Sequence, residues 1–205
     1  ENRKVLPYIL VQIFAAFVAS AAIHAAYGGI VEAFEASNGL VRGEMGSQLS
    51  AMAYTTYAPN PAIIGTDTAS LLTVSLGRWF VSEMIITAVL IFGIFYLIEE
   101  ANASRPLANT HALFIGLLVA ALVAYEAPVS MAALNPARDI GPRIWAYLAG
   151  WGEIAFPGPR GGFWIPTAST LIGGIIGGAI YRYLYGHLFP TPAEEGRVPE
   201  EVEGE

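Results

Sequence analysis

The residues best equipped for chemistry in this chain are few, and most sit in one stretch, Met131-Ala132-Ala133-Leu134-Asn135-Pro136-Ala137-Arg138-Asp139-Ile140-Gly141-Pro142-Arg143. It places a side-chain amide, a guanidinium and a carboxylate between two strongly apolar segments, where a charge is costly and marks a functional place. Asn135 can donate an amide hydrogen to a passing hydroxyl, and Arg138 carries a fixed positive charge with five donors. Neither is a nucleophile. The chemistry within reach is hydrogen-bond donation and repulsion of cations.

Other candidates are sparse. Glu83 is read as the one acid inside an apolar span, either a proton-relay group or a buried acceptor that holds irregular backbone. His24, His111 and His187 fall on three different segments with no ligand spacing, and the chain has no Cys, so neither a metal set nor a disulfide framework is expected. No nucleophile-base pair is visible, which argues against an enzyme and implies no cofactor.

The stretch requires a particular backbone. Asn135 directly before Pro136 fits an N-cap, with the proline pre-set for the first helical turn. A helix over 137–149 follows, roughly 20 Å long against a hydrocarbon core of about 30 Å. The 126–134 approach reads as irregular and re-entrant, and such backbone is tolerated at membrane depth only where it is packed in protein or lines a watery cavity. The pattern points to a pore.

Composition supplies the membrane. Charged residues are 13% and hydrophobic residues 55% of the 205, against about 25% charged in a soluble domain. Spans are predicted at 5–31, 79–98, 107–125 and 163–185, with a turn-rich connection at 32–78 and a Gly- and Pro-rich loop at 151–162. The net charge of −7 belongs mostly to the tail, where Glu194, Glu195, Glu200, Glu201, Glu203 and Glu205 face only Arg197. No basic face suggests nucleic acid. The positive-inside count is tied: Arg3, Lys4, Arg105, Arg182 and Arg197 fall on one side, Arg42, Arg78, Arg138, Arg143 and Arg160 on the other. The small-residue run Gly173-Gly174-Ile175-Ile176-Gly177-Gly178 is expected to let a second helix approach, with the first span as its partner.

Asn135-Pro136-Ala137-Arg138-Asp139, with Gly141-Pro142 after it, closely resembles the second pore motif of the major intrinsic protein family. The Asp after the Arg looks like the glycerol-conducting branch, the aquaglyceroporins. Glu83-Met84-Ile85-Ile86-Thr87 is similar to the start of that family's fourth span, and Leu148-Ala149-Gly150-Trp151-Gly152 to its stretch after the half-helix. The resemblance covers nearly the whole chain, from the family's third span onward.

The resemblance implies an all-α multi-pass membrane protein with about four transmembrane helices and one re-entrant half-helix. Residues 1–190 are then an incomplete aquaporin-like channel domain lacking N-terminal spans, and 191–205 an acidic disordered tail on the cytoplasmic side. It implies a homotetramer in the plasma membrane, passing glycerol, small neutral solutes and water. Asn135, Arg138, Met131, Ala132, Ala133 and Val123 are the expected pore residues, the 131–133 carbonyls serving as acceptors for a file of hydroxyls. Glu83, Pro136, Ala137 and Asp139 are expected to support them, Glu83 by bracing the approach and Asp139 by pairing nearby. Glycerol facilitators usually have an aromatic where Ala132 stands, a departure that implies a wider filter. Val123 falls where water-selective relatives carry a His.

Asn60-Pro61-Ala62 repeats the triplet, but it follows a span rather than preceding one and reads as a plain loop. Two other readings stand beside the channel: an ion-coupled transporter, disfavoured by the lack of a second mid-span acid, and a non-conducting membrane scaffold.

Overall fold

The computed structural model describes residues 2–102 and 104–188, so the expected tail at 191–205 lies outside the described residues. Those residues form helices and no strand: α1 (Val5–Ser37), α2 (Gln48–Ala51), α3 (Thr68–Leu72), α4 (Leu76–Ile98), α5 (His111–Glu126), α6 (Pro136–Ala146) and α7 (Ile165–Ile180). Three helical stretches, Val5–Ser37, Leu76–Ile98 and Gly162–Leu188, are long and apolar enough to cross a membrane.

The element boundaries follow from local chemistry. α1 runs past the expected 31 because Glu35, in its last turn, pairs with Arg42 at 2.6 Å and accepts the Ser50 hydroxyl at 2.6 Å. It stops at Gly39, whose φ of +63° reverses the chain so that the Leu40 N–H meets the Glu35 carbonyl at 2.9 Å. α4 opens three residues before the expected 79, since Ser75 accepts the Arg78 N–H at 3.2 Å as an N-cap. α5 starts later than expected, after Ala108 and Asn109 at φ 54° and 61°. Its 16 residues reach about 24 Å, so it is a short apolar helix.

Two helix pairs organise the bundle. α1 packs against α6, where a Cβ on Gly141 would meet the Ile13 carbonyl oxygen at 2.5 Å and the Phe17 nitrogen at 2.8 Å. α4 packs against α7 through Gly173, which faces the Met84 backbone, and Gly177, which faces the Ala88 carbonyl within van der Waals contact of where a Cβ would stand. The partner of the α7 glycines is therefore α4, correcting the expectation that they meet the first span. α1 is unavailable to them because its small-residue contact is already made with α6.

At the opposite end of α4, the Tyr181 hydroxyl donates to Glu99 at 2.5 Å while its ring stacks on Phe95 at 5.4 Å. That hydroxyl, with the Ala101 amide, holds the Glu99 carboxyl below the usual carboxylate range. A depressed folded-state pKa contributes stability above about pH 4.3 that fades as the pH falls through the folded value. Tyr181→Phe should flatten the acid-side decline of the thermal midpoint between about pH 5 and 3. Identical pH profiles for the variant and the parent would refute this coupling.

Candidate functional site

The site is assembled around the start of α6. Asn135 is extended (φ −152°, ψ 127°), and its Oδ1 accepts the Ala137 N–H at 2.9 Å with Pro136 at the first helical position. This capping uses the oxygen of the amide and leaves its nitrogen free to donate. α6 has 11 residues, about 16 Å, ending earlier than the expected 149 in a widened turn at Tyr147–Trp151. Gly150 there takes φ 105°, which bends the chain away from the helix axis.

Before Asn135 the backbone is left-handed at Met131, Ala132 and Leu134, with φ of 67°, 56° and 58°. Residues other than glycine adopt this conformation at a cost of about 1–2 kcal/mol each, so something must hold them. Glu83, 0% exposed on α4, does so: it accepts the Ala133 N–H at 2.8 Å, the Leu134 N–H at 3.3 Å and the Ser130 hydroxyl at 2.5 Å. The Ala133 carbonyl takes the Asn135 N–H at 2.6 Å, leaving it one lone pair, while the Met131 and Ala132 carbonyls accept no hydrogen bond among the described residues.

Asp139, in the first turn of α6, is fully buried and saturated. It receives Arg143 Nε at 2.8 Å and Nη2 at 2.9 Å, the Thr55 and Thr56 hydroxyls at 3.0 and 2.5 Å, and the Thr56 N–H at 3.0 Å. Arg143 spends its remaining donors on the carbonyls of Ala155 and Thr56, both at 2.7 Å. The connection after α1 is thereby clasped to the half-helix. A second clasp lies beside it: Arg42 donates to the Ala149 carbonyl at 3.1 Å and stands 4.2 Å over the Trp151 ring, whose Nε1 donates to Ser50 at 2.9 Å.

Asn60 caps its own turn as Asn135 does, accepting the Ala62 N–H at 2.9 Å, but no long helix follows. Its amide donates to the Ala127 carbonyl at 2.7 Å, and its backbone N–H to the Pro128 carbonyl at 3.1 Å. The repeated triplet thus tethers a loop to the end of α5.

With these supports in place, Val123, Met131, Ala132, Ala133, Asn135 and Arg138 line one cavity of about 560 Å³. Leu90 and Ile91 of α4 and Val119 of α5 give it an apolar side. Thr87 and Thr170 add hydroxyls; Thr170 donates to the Pro166 carbonyl at 2.6 Å, whereas Thr87 Oγ1 is buried with no partner among the described residues. Asn135 and Arg138 are exposed to this space, and the Arg138 side chain makes no hydrogen bond or ion pair among the described residues. Its neighbour Asp139 is committed to Arg143. Among the described residues no aromatic side chain lines the cavity, at Ala132 or elsewhere. Among the described residues no cluster of His, Cys, Asp or Glu is arranged to hold a metal ion.

Of the four expected supports, Pro136 lines this cavity itself, whereas Glu83, Ala137 and Asp139 are not among its lining residues. Sequence reasoning missed Glu126, which is the last residue of α5, 1% exposed, with Oε1 2.8 Å from Ser130 Oγ. Glu83 is therefore not the sole buried acid of the spans. The signal was present: Glu126 and Ser130 are four apart, the spacing of neighbours on one helical face, and the Ser130 N–H bonds the Glu126 carbonyl at 3.1 Å.

Apolar spanning helices and a broken helix whose capped start faces a mostly apolar cavity with a few polar groups define a multi-pass integral membrane protein. Residues 1–181 match the model of the Major intrinsic protein family, and the chain belongs to that family. It is 38% identical over 194 residues to the glycerol uptake facilitator protein of Escherichia coli (strain K12), covering 93% of this chain and 64% of that protein. It is 36% identical over 193 residues to the propanediol uptake facilitator PduF of Citrobacter freundii, covering 92% of this chain and 66% of the relative. The chain thus spans just under two thirds of the length of these curated relatives. Among solved structures, the aquaglyceroporin from Plasmodium falciparum superposes with a TM-score of 0.66 over 92% of this chain and 67% of that one, at 22% identity, a likeness of fold.

Proposed function

We propose that the protein is a passive channel of the aquaglyceroporin type for glycerol, other small neutral solutes and water. The observation that carries this reading is a mostly apolar cavity with a few polar groups: Asn135 and Arg138 bring donors without a partner among the described residues, Met131 and Ala132 carry carbonyls that accept no bond among them, and Val123 is part of the apolar lining. A polyol has hydroxyls on one side and carbon on the other, and fits such a surface without a charge. Glu83, Pro136, Ala137 and Asp139 act as the supports of that wall. The relatives named as glycerol and propanediol facilitators support the same substrate class. An ion-coupled transporter is the less supported reading, because neither Glu83 nor Glu126 is among the residues lining this cavity.

The whole protein, expressed from its complete coding sequence into liposomes, should let glycerol equilibrate with no ion gradient. A requirement for a proton or sodium gradient would refute the channel. Arg138→Ala should keep glycerol flux but raise cation leak about tenfold, the loss of roughly 1.4 kcal/mol of barrier. A pH-dye leak assay that detects no increase would remove Arg138 from the filter.

The proposal includes a homotetramer in the plasma membrane with the chain's C-terminal end in the cytoplasm. Orientation has a physical support: Arg42, Arg143 and Arg160 are engaged with protein carbonyls, which discounts them as topology signals. Arg3, Lys4, Arg105 and Arg182 then outweigh the rest, on the cytoplasmic side.

A further inference from the structure

The connection that leaves Asn60 and returns at Ser75 carries one charge, Asp67, among residues 61–74. It starts against the end of an apolar helix. α5 exposes Leu113, Phe114 and Leu117 along its flank and Tyr125 at its end. Just beyond that end, the Ala127 and Pro128 carbonyls accept the Asn60 side-chain amide and backbone N–H. Ile63 and Ile64 sit one turn further on, their N–H groups donating to the Asn60 carbonyl at 3.2 and 3.0 Å. They are 55% and 40% exposed.

The polar groups of this turn are all directed inward. Each backbone N–H from Ala62 to Gly65 is bonded within it: Ala62 to Asn60 Oδ1 at 2.9 Å, Ile63 and Ile64 to the Asn60 carbonyl, and Gly65 to the Pro61 carbonyl at 3.1 Å. Behind them the Ser70 hydroxyl lies 3.0 Å from the Ile64 carbonyl oxygen and 2.5 Å from Asp67 Oδ2. Leu71 of α3 lines a small cavity with Tyr57, Trp79 and Arg160, which ties the connection down on its inner side. Backbone with unpaired donors is confined to water, whereas backbone that has paired them can approach hydrocarbon. Large apolar side chains outside and satisfied polar groups inside suit lipid, and water favours the reverse.

We propose that the turn from Asn60 to Ile64 is an interfacial membrane anchor, with Ile63 and Ile64 seated in the lipid leaflet that surrounds the start of α4 and the end of α5. Continuity identifies the bilayer as the partner. The Asn60 bonds hold the turn against the end of α5, and Ser75 returns the chain as the N-cap of α4, a helix long and apolar enough to cross the membrane. The isoleucines therefore extend the exposed apolar flank of α5 past Tyr125, an aromatic of the kind enriched at the membrane interface. Asp67, the N-cap of α3, stays with the headgroups and water. Seated in this way, the turn sets the depth of Ala127 and Pro128, and with them the depth at which the backbone sets out toward Asn135.

The test uses the whole protein in liposomes and measures no flux, so its result stands apart from the channel reading above. These 205 residues contain no cysteine, so single substitutions can carry a nitroxide, with the label-treated parent as the blank. Labels at Ile63→Cys and Ile64→Cys should be relaxed by oxygen and shielded from a water-soluble nickel chelate, at a depth of about 5–10 Å. A label at Glu44→Cys, exposed in the connection after α1, should show the reverse. A label at Ala62→Cys, also exposed, reads the role of the isoleucines without replacing them. Adding Ile63→Ser and Ile64→Ser should move it from lipid to water, its nickel accessibility rising to the Glu44 level. The anchor is overturned if the labels at 63 and 64 are as open to nickel as the Glu44 label, which places the turn in water. It is equally overturned if they are shielded from both reagents, which places the turn against protein, or if the serines leave the Ala62 label unmoved.

Discussion

Replacing Asp139 with alanine should lower the unfolding free energy by about 3–5 kcal/mol, because it strands a buried guanidinium. Arg143 is 2% exposed, and Asp139 supplies both oxygens of its ion pair, at 2.8 and 2.9 Å. Thr55 and Thr56, each 0% exposed, lose their acceptor in the same change. The pair itself adds little net stability, since bringing two charges out of water nearly offsets their attraction. The double replacement Asp139→Leu with Arg143→Met should therefore recover much of the loss. Reversible unfolding in detergent micelles measures both. A loss below about 1 kcal/mol for Asp139→Ala, the range of an exposed pair, would mean that water reaches the clasp.

Gly177→Ala should cost about 3 kcal/mol, at the upper end of ordinary overpacking. The new methyl group would enter the Ala88 backbone, which cannot rotate aside as a side chain could. α4 and α7 would have to separate, and both contribute to the cavity wall. Gly178→Ala is the control one residue away. Its Cβ would meet Phe95 at 3.5 Å, ordinary contact, and alanine favours the helix by about 1 kcal/mol over glycine. Gly178→Ala should be neutral or stabilising in the same melts. Equal losses at the two positions would show that helix separation is not the cause.

Much of this arrangement is legible in the amino-acid order where the determining interaction is local. Asn135-Pro136 specifies a cap from two adjacent residues, and the apolar runs specify spans by length. The membrane-protein class and its family follow from that wording. What stays hidden is long-range. Asp139 needs a partner on any reading, but only the fold shows it to be Arg143 together with threonines some 83 residues away. The choice of α4 rather than α1 as partner of the α7 glycines depends on Gly141 having occupied α1 first. The tied charge count has a similar origin: Arg42, Arg143 and Arg160 are loop fasteners, a role that no count of cations reveals. The two Asn-Pro-Ala triplets share the same cap geometry, so what distinguishes them is the helix that follows one and not the other.

The placement of the polar contacts around α5 has a mechanical consequence. The one buried residue of that helix is Glu126, and the Asn60 bonds grip Ala127 and Pro128 just beyond it. Among the described residues its long-range polar ties lie at that end, while toward His111 the helix rests on α4 by apolar packing, as where Leu118 meets Gly93. Val123 lies within one turn of these ties and Val119 within two, so the polar contacts brace the part of the cavity wall that Val123 contributes more closely than the part Val119 contributes.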